Sequence, residues 1–154
     1  MTLSELLAPE ATRTVPAMTS KKRLFHALGE VASTVYGMDC DRVIEGLLER
    51  ESLGPTGVGQ GVALPHARLD GLTRVHGVFL RLERPVEYGA VDRQPVDLVF
   101  GLFAPLDAGV EHLKSLAVVS RTLRDPELCA MLRANDDPAT LHTMLIAGRR
   151  TIPV

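Results

Sequence analysis

The residues around one histidine give it an unusual setting. His66 lies in the stretch GVGQGVALPHA, residues 57–67, which carries glycine at three alternate positions before the proline. Pro65 fixes its own φ and pushes Leu64 into an extended conformation, so the chain reaches His66 from a defined direction. An imidazole with an ordinary pKa of about 6.5 is largely neutral at cellular pH and has a free lone pair. The pattern fits a nucleophile, and it also fits a turn histidine whose ring bonds a carbonyl.

Three more side chains could bind an anion beside that ring. His112, in AGVEHLKSL, falls in the first turn of an expected helix, where free N–H groups and the helix dipole favour negative charge. Arg50 ends the helix before the glycine stretch, and Arg68 follows His66 by two residues. Either guanidinium could present a fork of donors to phosphate oxygens. The alternatives are an exposed histidine at a helix start and two solvated surface charges.

The remaining histidines are expected to be structural. His26 and His142 lie on expected helices beside apolar residues, where a packing role is typical. His76 opens an expected strand and is ambiguous, with structure favoured over chemistry.

Several other chemistries fit less well. The glycines are not followed by Lys-Ser/Thr, their spacing is not that of a dinucleotide site, and no GxSxG is present. Asp92 and Asp97 form no pattern of paired catalytic carboxylates. A metal site made of His66, His112 and a carboxylate is possible in space, but no ligand spacing supports it.

The elements that would position these residues follow from hydrophobic periodicity. Residues 1–19 are expected to be irregular, with a short β-prone piece at 12–15. Helices are predicted from the Ser20 cap to Gly37 and over 41–51, and strands over 58–64, 75–82 and 95–103. A polar loop is expected over 84–95. A helix over 110–123 precedes two short helices that begin at Asp125-Pro126 and Asp137-Pro138, and the tail 148–154 is expected to be loose. This order predicts a mixed sheet covered on both faces.

Composition limits the class of protein. The chain has 154 residues, a formal net charge of −2 and 45% hydrophobic residues, which suits one domain over 1–154 with its core at about 20–147. No basic stripe indicates nucleic-acid binding, and no apolar run is long enough to span a bilayer. The N-terminus lacks the pattern of a secretory signal, and Cys40 and Cys129 form no CxxC pair. We therefore expect a soluble cytoplasmic protein.

The histidine segment also resembles a known family. ERESLGPTGVGQGVALPHARL, residues 49–69, is similar to the phosphorylation signature of the type 2 enzyme IIA domains of the bacterial phosphotransferase system (fructose/mannitol class). The blocks VFLRLERPVEYGAVDRQPVDLVFGLFAP and EHLKSLAVVSRTLRD resemble the parts of that family that follow the signature. The resemblance covers residues 20–147.

The resemblance implies a fold and a set of roles. The fold would be an α/β three-layer α/β/α sandwich with a mixed central sheet. His66 would accept phosphate from an HPr-like carrier protein, His112 would be the second active-site histidine, and Arg50 would be an arginine of the site. Arg68 occupies a position that varies in the family pattern. No metal or other cofactor would be needed, because both donor and acceptor would be histidines.

Within the family, the chain is most similar to the nitrogen-regulatory IIA proteins. That group implies regulation of partner proteins by phosphorylation state, with potassium transport and sensor-kinase components as partners. Two alternatives stay open. The first is a sugar-specific IIA component that passes phosphate to a IIB domain, and the second is a non-catalytic interaction domain that shares the fold.

Overall fold

The order of helices and strands along the chain brings the histidine segment to the side of a central strand. The computed structural model describes residues 1–147. Its elements are α1 (Leu3–Leu6), β1 (Leu7–Val15), α2 (Lys21–Tyr36), α3 (Cys40–Ser52), β2 (Gly57–Gly59), β3 (Val62–Ala63), β4 (His66–Leu69), β5 (His76–Val86), β6 (Val96–Pro105), α4 (Gly109–Leu123), α5 (Pro126–Arg133) and α6 (Pro138–Ala147).

The helix boundaries follow from capping residues. Ser20 accepts a hydrogen bond from the N–H of Arg23, and Gly37 ends α2 with a φ of 72°, which glycine adopts without strain. Asp39 caps α3 through the N–H groups of Asp41 and Arg42. Asp125 caps α5 in the same way, with proline as the first helical residue.

One mixed six-stranded sheet forms the middle layer, with the order β1-β5-β6-β3-β2 and with β4 also paired to β6. β5 and β6 are antiparallel, whereas β1 runs parallel to β5, and β3 and β4 run parallel to β6. Val62 pairs with Leu98 and His66 with Leu102, so β3 and β4 keep one register along β6. The two short strands therefore form one discontinuous strand beside β6, with a break at residues 64–65.

Helices cover both faces of the sheet. α2 and α3 pack against each other on one face, while α1, α4, α5 and α6 contact one another on the other. The predicted three-layer α/β/α sandwich is confirmed. The centre is apolar, with Phe79, Phe100 and Phe103 fully buried. Among residues 1–147, no helix combines the length and hydropathy needed to cross a bilayer.

Three sequence predictions about the elements are wrong. The β-prone piece at 12–15 is confirmed, but the rest of the N-terminal segment is not irregular, because α1 and the nine-residue β1 occupy it and β1 pairs with β5. The predicted strand over 58–64 is two short antiparallel strands, since Gly59, Gln60 and Gly61 all have positive φ and turn the chain between them. The loop 84–95 is not uniformly polar, since β5 runs to Val86 and both Tyr88 and Ala90 are buried.

Two predictions are left open. The tail at 148–154 lies outside the described residues, so its looseness stays a prediction. The same holds for the single domain over 1–154, although the sheet begins at Leu7, well before residue 20.

Candidate functional site

The imidazole of His66 has a different partner at each nitrogen. Nδ1 lies 2.9 Å from the carbonyl oxygen of Leu64, and Nε2 lies 3.2 Å from Nε of Arg50. A carbonyl can only accept and an arginine Nε–H can only donate. Both contacts are satisfied together when Nδ1 carries the proton and Nε2 keeps its lone pair. The site therefore favours one neutral tautomer.

Burial keeps this imidazole neutral. The pKa of His66 is lowered mainly because the ring is removed from water, and the Arg50 and Arg68 charges lower it further. The hydrogen bond to Leu64 and the Glu51 carboxylate act in the opposite direction. The net result is a ring whose lone pair stays available below the ordinary pKa of histidine.

His112 lies directly against His66. The two ring centroids are 5.3 Å apart with an interplanar angle of 55°. The His112 side chain is 4% exposed, and its Nδ1 is buried without a hydrogen-bond partner among residues 1–147. Desolvation first, and then the His66 and Arg68 charges, lower the pKa of His112 to about 4. A neutral, incompletely bonded ring therefore lies beside the candidate nucleophile.

His112 lies in the first turn of α4, as the sequence predicts, but its own backbone N–H is already bonded. His112 is the fourth residue of α4, and its own N–H donates to the carbonyl of Ala108. That N–H is not free to bind an anion. Any contribution of His112 to anion binding must come from the side chain.

The two arginines occupy different environments. Arg50 is half-buried, and its Nη1 donates to the Gly54 carbonyl at 2.9 Å while its Nε faces His66. Arg68 is exposed and acts on both histidines through its charge. The structure thus orients Arg50 firmly and leaves Arg68 in contact with solvent.

All four predicted side chains line a single cleft of about 560 Å³. The cleft lies between α3 and the start of α4, with β4 between them. Its rim carries three leucines that are strongly exposed: Leu53 at 81%, Leu106 at 58% and Leu113 at 64%. Large apolar side chains concentrated around charged groups are typical of a protein-docking surface.

The other histidines lie away from this cleft. His26 is exposed on α2, and His142 Nε2 lies 3.1 Å from the Leu7 carbonyl, where it links α6 to β1. His76 packs on Tyr36 with ring centroids 4.3 Å apart, and burial lowers its pKa. The placements of His76 and His142 are structural, whereas the packing role expected for His26 is not supported, because His26 is exposed.

A polar cluster next to Arg50 was not predicted from the sequence. The Glu51 side chain contacts Lys21, Thr56 and Tyr88, and the last two side chains are buried. A tyrosine within an otherwise polar loop was the one available signal, but nothing in the sequence identifies its partner. Among residues 1–147, no three His, Cys, Asp or Glu side chains are grouped to hold a metal ion.

Comparison with known proteins agrees with this arrangement. The chain is 43% identical over 145 residues to a nitrogen regulatory protein of Bradyrhizobium diazoefficiens, covering 94% of this chain and 95% of that one. It is 39% identical over 144 residues to a nitrogen regulatory protein of Escherichia coli, covering 93% and 88% respectively. The solved structure of nitrogen regulatory protein IIA-Ntr from Neisseria meningitidis matches with a TM-score of 0.84 and 33% identity, covering 93% of this chain and 98% of that chain.

A family model gives the same result. The model for "Phosphoenolpyruvate-dependent sugar phosphotransferase system, EIIA 2" matches residues 5–147. The resemblance stated from the histidine segment is thereby confirmed. The chain belongs to the type 2 EIIA family of the phosphotransferase system.

Proposed function

We propose that this protein is a phosphocarrier of the nitrogen-related branch of the phosphotransferase system. In this proposal, Nε2 of His66 accepts a phosphoryl group from a phosphorylated HPr-like protein. One observation carries the proposal: Nδ1 of His66 contacts the Leu64 carbonyl while Nε2 faces the Nε–H of Arg50, and both contacts fit a neutral ring that is protonated at Nδ1. The sequence identity to nitrogen regulatory proteins supports the assignment to the nitrogen-related branch.

The transfer step needs only correct positioning. The Nε2 lone pair attacks phosphorus in line as the bond to the donor's ring nitrogen breaks, and the electron pair of that bond returns to the donor imidazole. The Nδ1 proton stays on the ring and remains hydrogen-bonded to the Leu64 carbonyl, which stabilises the positive charge that develops on the His66 ring. Since a histidine–phosphate bond is exchanged for another, the step is readily reversible.

The surrounding cations stabilise the transferred group. The Arg50 Nε–H, which faces Nε2 before transfer, moves to a phosphoryl oxygen. Arg68 adds positive charge from the open side, and a His112 nitrogen contributes a donor. Preorganised positive groups of this kind favour the transition state because they already surround the place where the negative charge develops.

Phosphorylation then changes a docking surface. A phosphohistidine adds about two negative charges, and they would appear beside the exposed leucines Leu53, Leu106 and Leu113. In our proposal these leucines dock the donor, and the added charge then changes which cytoplasmic partners bind. Potassium transport and sensor-kinase components are the partner classes we would test first.

The central experiment measures phosphate uptake by intact-protein mass spectrometry. With a phosphorylated HPr-type donor, the wild type should gain one acid-labile phosphate and His66→Ala should gain none. His26→Ala is the matched control, since His26 is an exposed histidine on α2, and it should label like the wild type. If the His66→Ala protein still takes up acid-labile phosphate, the site is wrong.

The same material separates the alternatives. Rapid transfer onward to a sugar-specific IIB domain would favour a sugar-specific component. A wild type that takes up no phosphate from any HPr-type donor would favour a non-catalytic interaction domain.

A further inference from the structure

We propose that Glu51 is a positioning residue that fixes both nitrogens of His66 through the turn 53–56. This inference rests on the proposed function for its kinetic consequence. Its structural content concerns the unphosphorylated protein alone. Glu51 is not among the residues that line the cleft, and within residues 1–147 no hydrogen bond joins its side chain to His66.

The Glu51 carboxylate is buried and highly bonded. Its side chain is 8% exposed, and Lys21 Nζ lies 3.0 Å from Oε2. The Thr56 N–H donates to Oε2 at 3.1 Å, the Thr56 hydroxyl donates to Oε1, and the Tyr88 hydroxyl lies 3.3 Å from Oε1. A buried carboxylate with this many donors holds them firmly, because each would lose a charged partner on moving.

The donors of Glu51 are themselves braced. Tyr88 is 1% exposed, and its hydroxyl lies 2.7 Å from the Thr56 hydroxyl. Lys21 Nζ sits 4.4 Å from the centre of the Tyr88 ring, within the range of a cation–π contact. The start of α2, the end of α3 and the loop after β5 therefore meet at one carboxylate.

A first branch of hydrogen bonds leads to Nδ1 of His66. The Thr56 side chain and N–H are fixed by Glu51, and the Thr56 carbonyl accepts from the Leu64 N–H at 2.9 Å. The Leu64 carbonyl in turn holds Nδ1 at 2.9 Å. Displacement of Thr56 would thus shift the acceptor that selects the tautomer.

A second branch leads to Nε2. The turn after α3 is closed by the Gly54 N–H, which donates to the Glu51 carbonyl, and by Thr56 on the Glu51 carboxylate. Between these two attachments, the Gly54 carbonyl accepts from Nη1 of Arg50 at 2.9 Å. Arg50 then presents its Nε to Nε2 of His66 at 3.2 Å. Both partners of the imidazole therefore depend on the same short turn.

The test uses two isosteric substitutions and one control. Glu51→Gln removes the charge, and Thr56→Val removes only the hydroxyl that Glu51 binds. Asp97→Asn is the control, because the Asp97 side chain also forms a part-buried ion pair, with Arg133, and within residues 1–147 no hydrogen bond joins that side chain to His66. The probe is ¹⁵N–¹H NMR of the His66 ring in the unphosphorylated protein.

The expected NMR result is specific to positioning. Wild type and Asp97→Asn should show one Nδ1-protonated tautomer, whereas Glu51→Gln and Thr56→Val should show a mixture. Transfer from a phosphorylated HPr-type donor should slow about 10- to 100-fold in the two variants, because small misplacements of reacting groups cost that much.

Two results would overturn the proposal. One is a folded Glu51→Gln protein that retains the single tautomer, and the other is a Thr56→Val protein indistinguishable from Asp97→Asn. If Glu51→Gln does not fold, Thr56→Val decides alone. Failure of the wild type to accept phosphate would refute the proposed function, while the tautomer experiment would still test the positioning role.

Discussion

Replacing Arg50 by alanine tests the electrostatics of the cleft most directly. The substitution removes the donor 3.2 Å from His66 Nε2 and the 2.9 Å bond from Nη1 to the Gly54 carbonyl. A hydrogen bond between a charged group and an oxygen contributes about 1.5–3 kcal/mol. If that bond forms to the phosphoryl group in the transition state, its loss slows transfer about 10- to 150-fold.

The substitution also changes the pH dependence. Arg50 lowers the pKa of His66, so its removal raises that pKa toward the ordinary value. More of the ring is then protonated, and unable to accept phosphate, at a given acidic pH. The acid limb of the transfer rate in Arg50→Ala should move to higher pH than in the wild type.

Arg50→Lys separates the two effects. A lysine keeps the positive charge but lacks the planar fork that bonds His66 and Gly54 simultaneously. We expect the acid limb to stay near its wild-type position while the maximal rate stays depressed. The assay is stopped-flow or quenched transfer from a phosphorylated HPr-type donor between pH 5 and 8. Transfer by Arg50→Ala within about twofold of wild type, well under the factor expected for a charged bond, would refute this reasoning.

Three further predictions concern stability. Folding lowers the pKa of His112 from 6.5 to about 4, so the unfolded state takes up the proton first as the pH falls. The free energy of unfolding should therefore decrease by up to about 3 kcal/mol between pH 7 and pH 4. Urea unfolding of His112→Asn should show a smaller change of this free energy with pH. Gly57→Ala places a Cβ 2.6 Å from the Ala90 Cβ and should lower the free energy of unfolding by about 1–3 kcal/mol. The control Gly109→Ala meets no atom within 4 Å and should leave this free energy unchanged in the same urea assay. Ser20→Ala loses the cap on the Arg23 N–H and should lower stability by about 1 kcal/mol in thermal unfolding; an unchanged melting temperature would contradict the capping assignment.

The sequence predicted best where local chemistry decides the structure. The caps at Ser20, Gly37 and Asp125 could be predicted because capping depends only on residues that are close along the chain. The apolar run of β6 predicted a central strand, and β6 is buried along nearly its whole length in the middle of the sheet. The segment around His66 could be recognised because the backbone conformation there restricts the residue types, as at Gly59 and Gly61, which have positive φ.

The misses are places where distant partners override local preference. β1 contains Pro9 and four charged or hydroxylic residues, at 10, 12, 13 and 14, yet it becomes a strand because β5 offers a parallel partner. Its register shifts between Leu7 and Thr12, which accommodates the proline at the sheet edge. The contact between Glu51 and Tyr88 spans 37 residues, and no pattern along the chain encodes it.

The outer strands of the sheet also affect how copies of the protein meet at high concentration. β1 shifts its register against β5 between Leu7 and Thr12, β2 has only three residues, and β4 has four and is packed against α3. Long, flat, unpaired edges are templates for aggregation, and none of these strands provides one. The glycine-rich segment and the exposed leucines near His66 therefore lie beside sheet edges that do not favour strand pairing between copies of the protein.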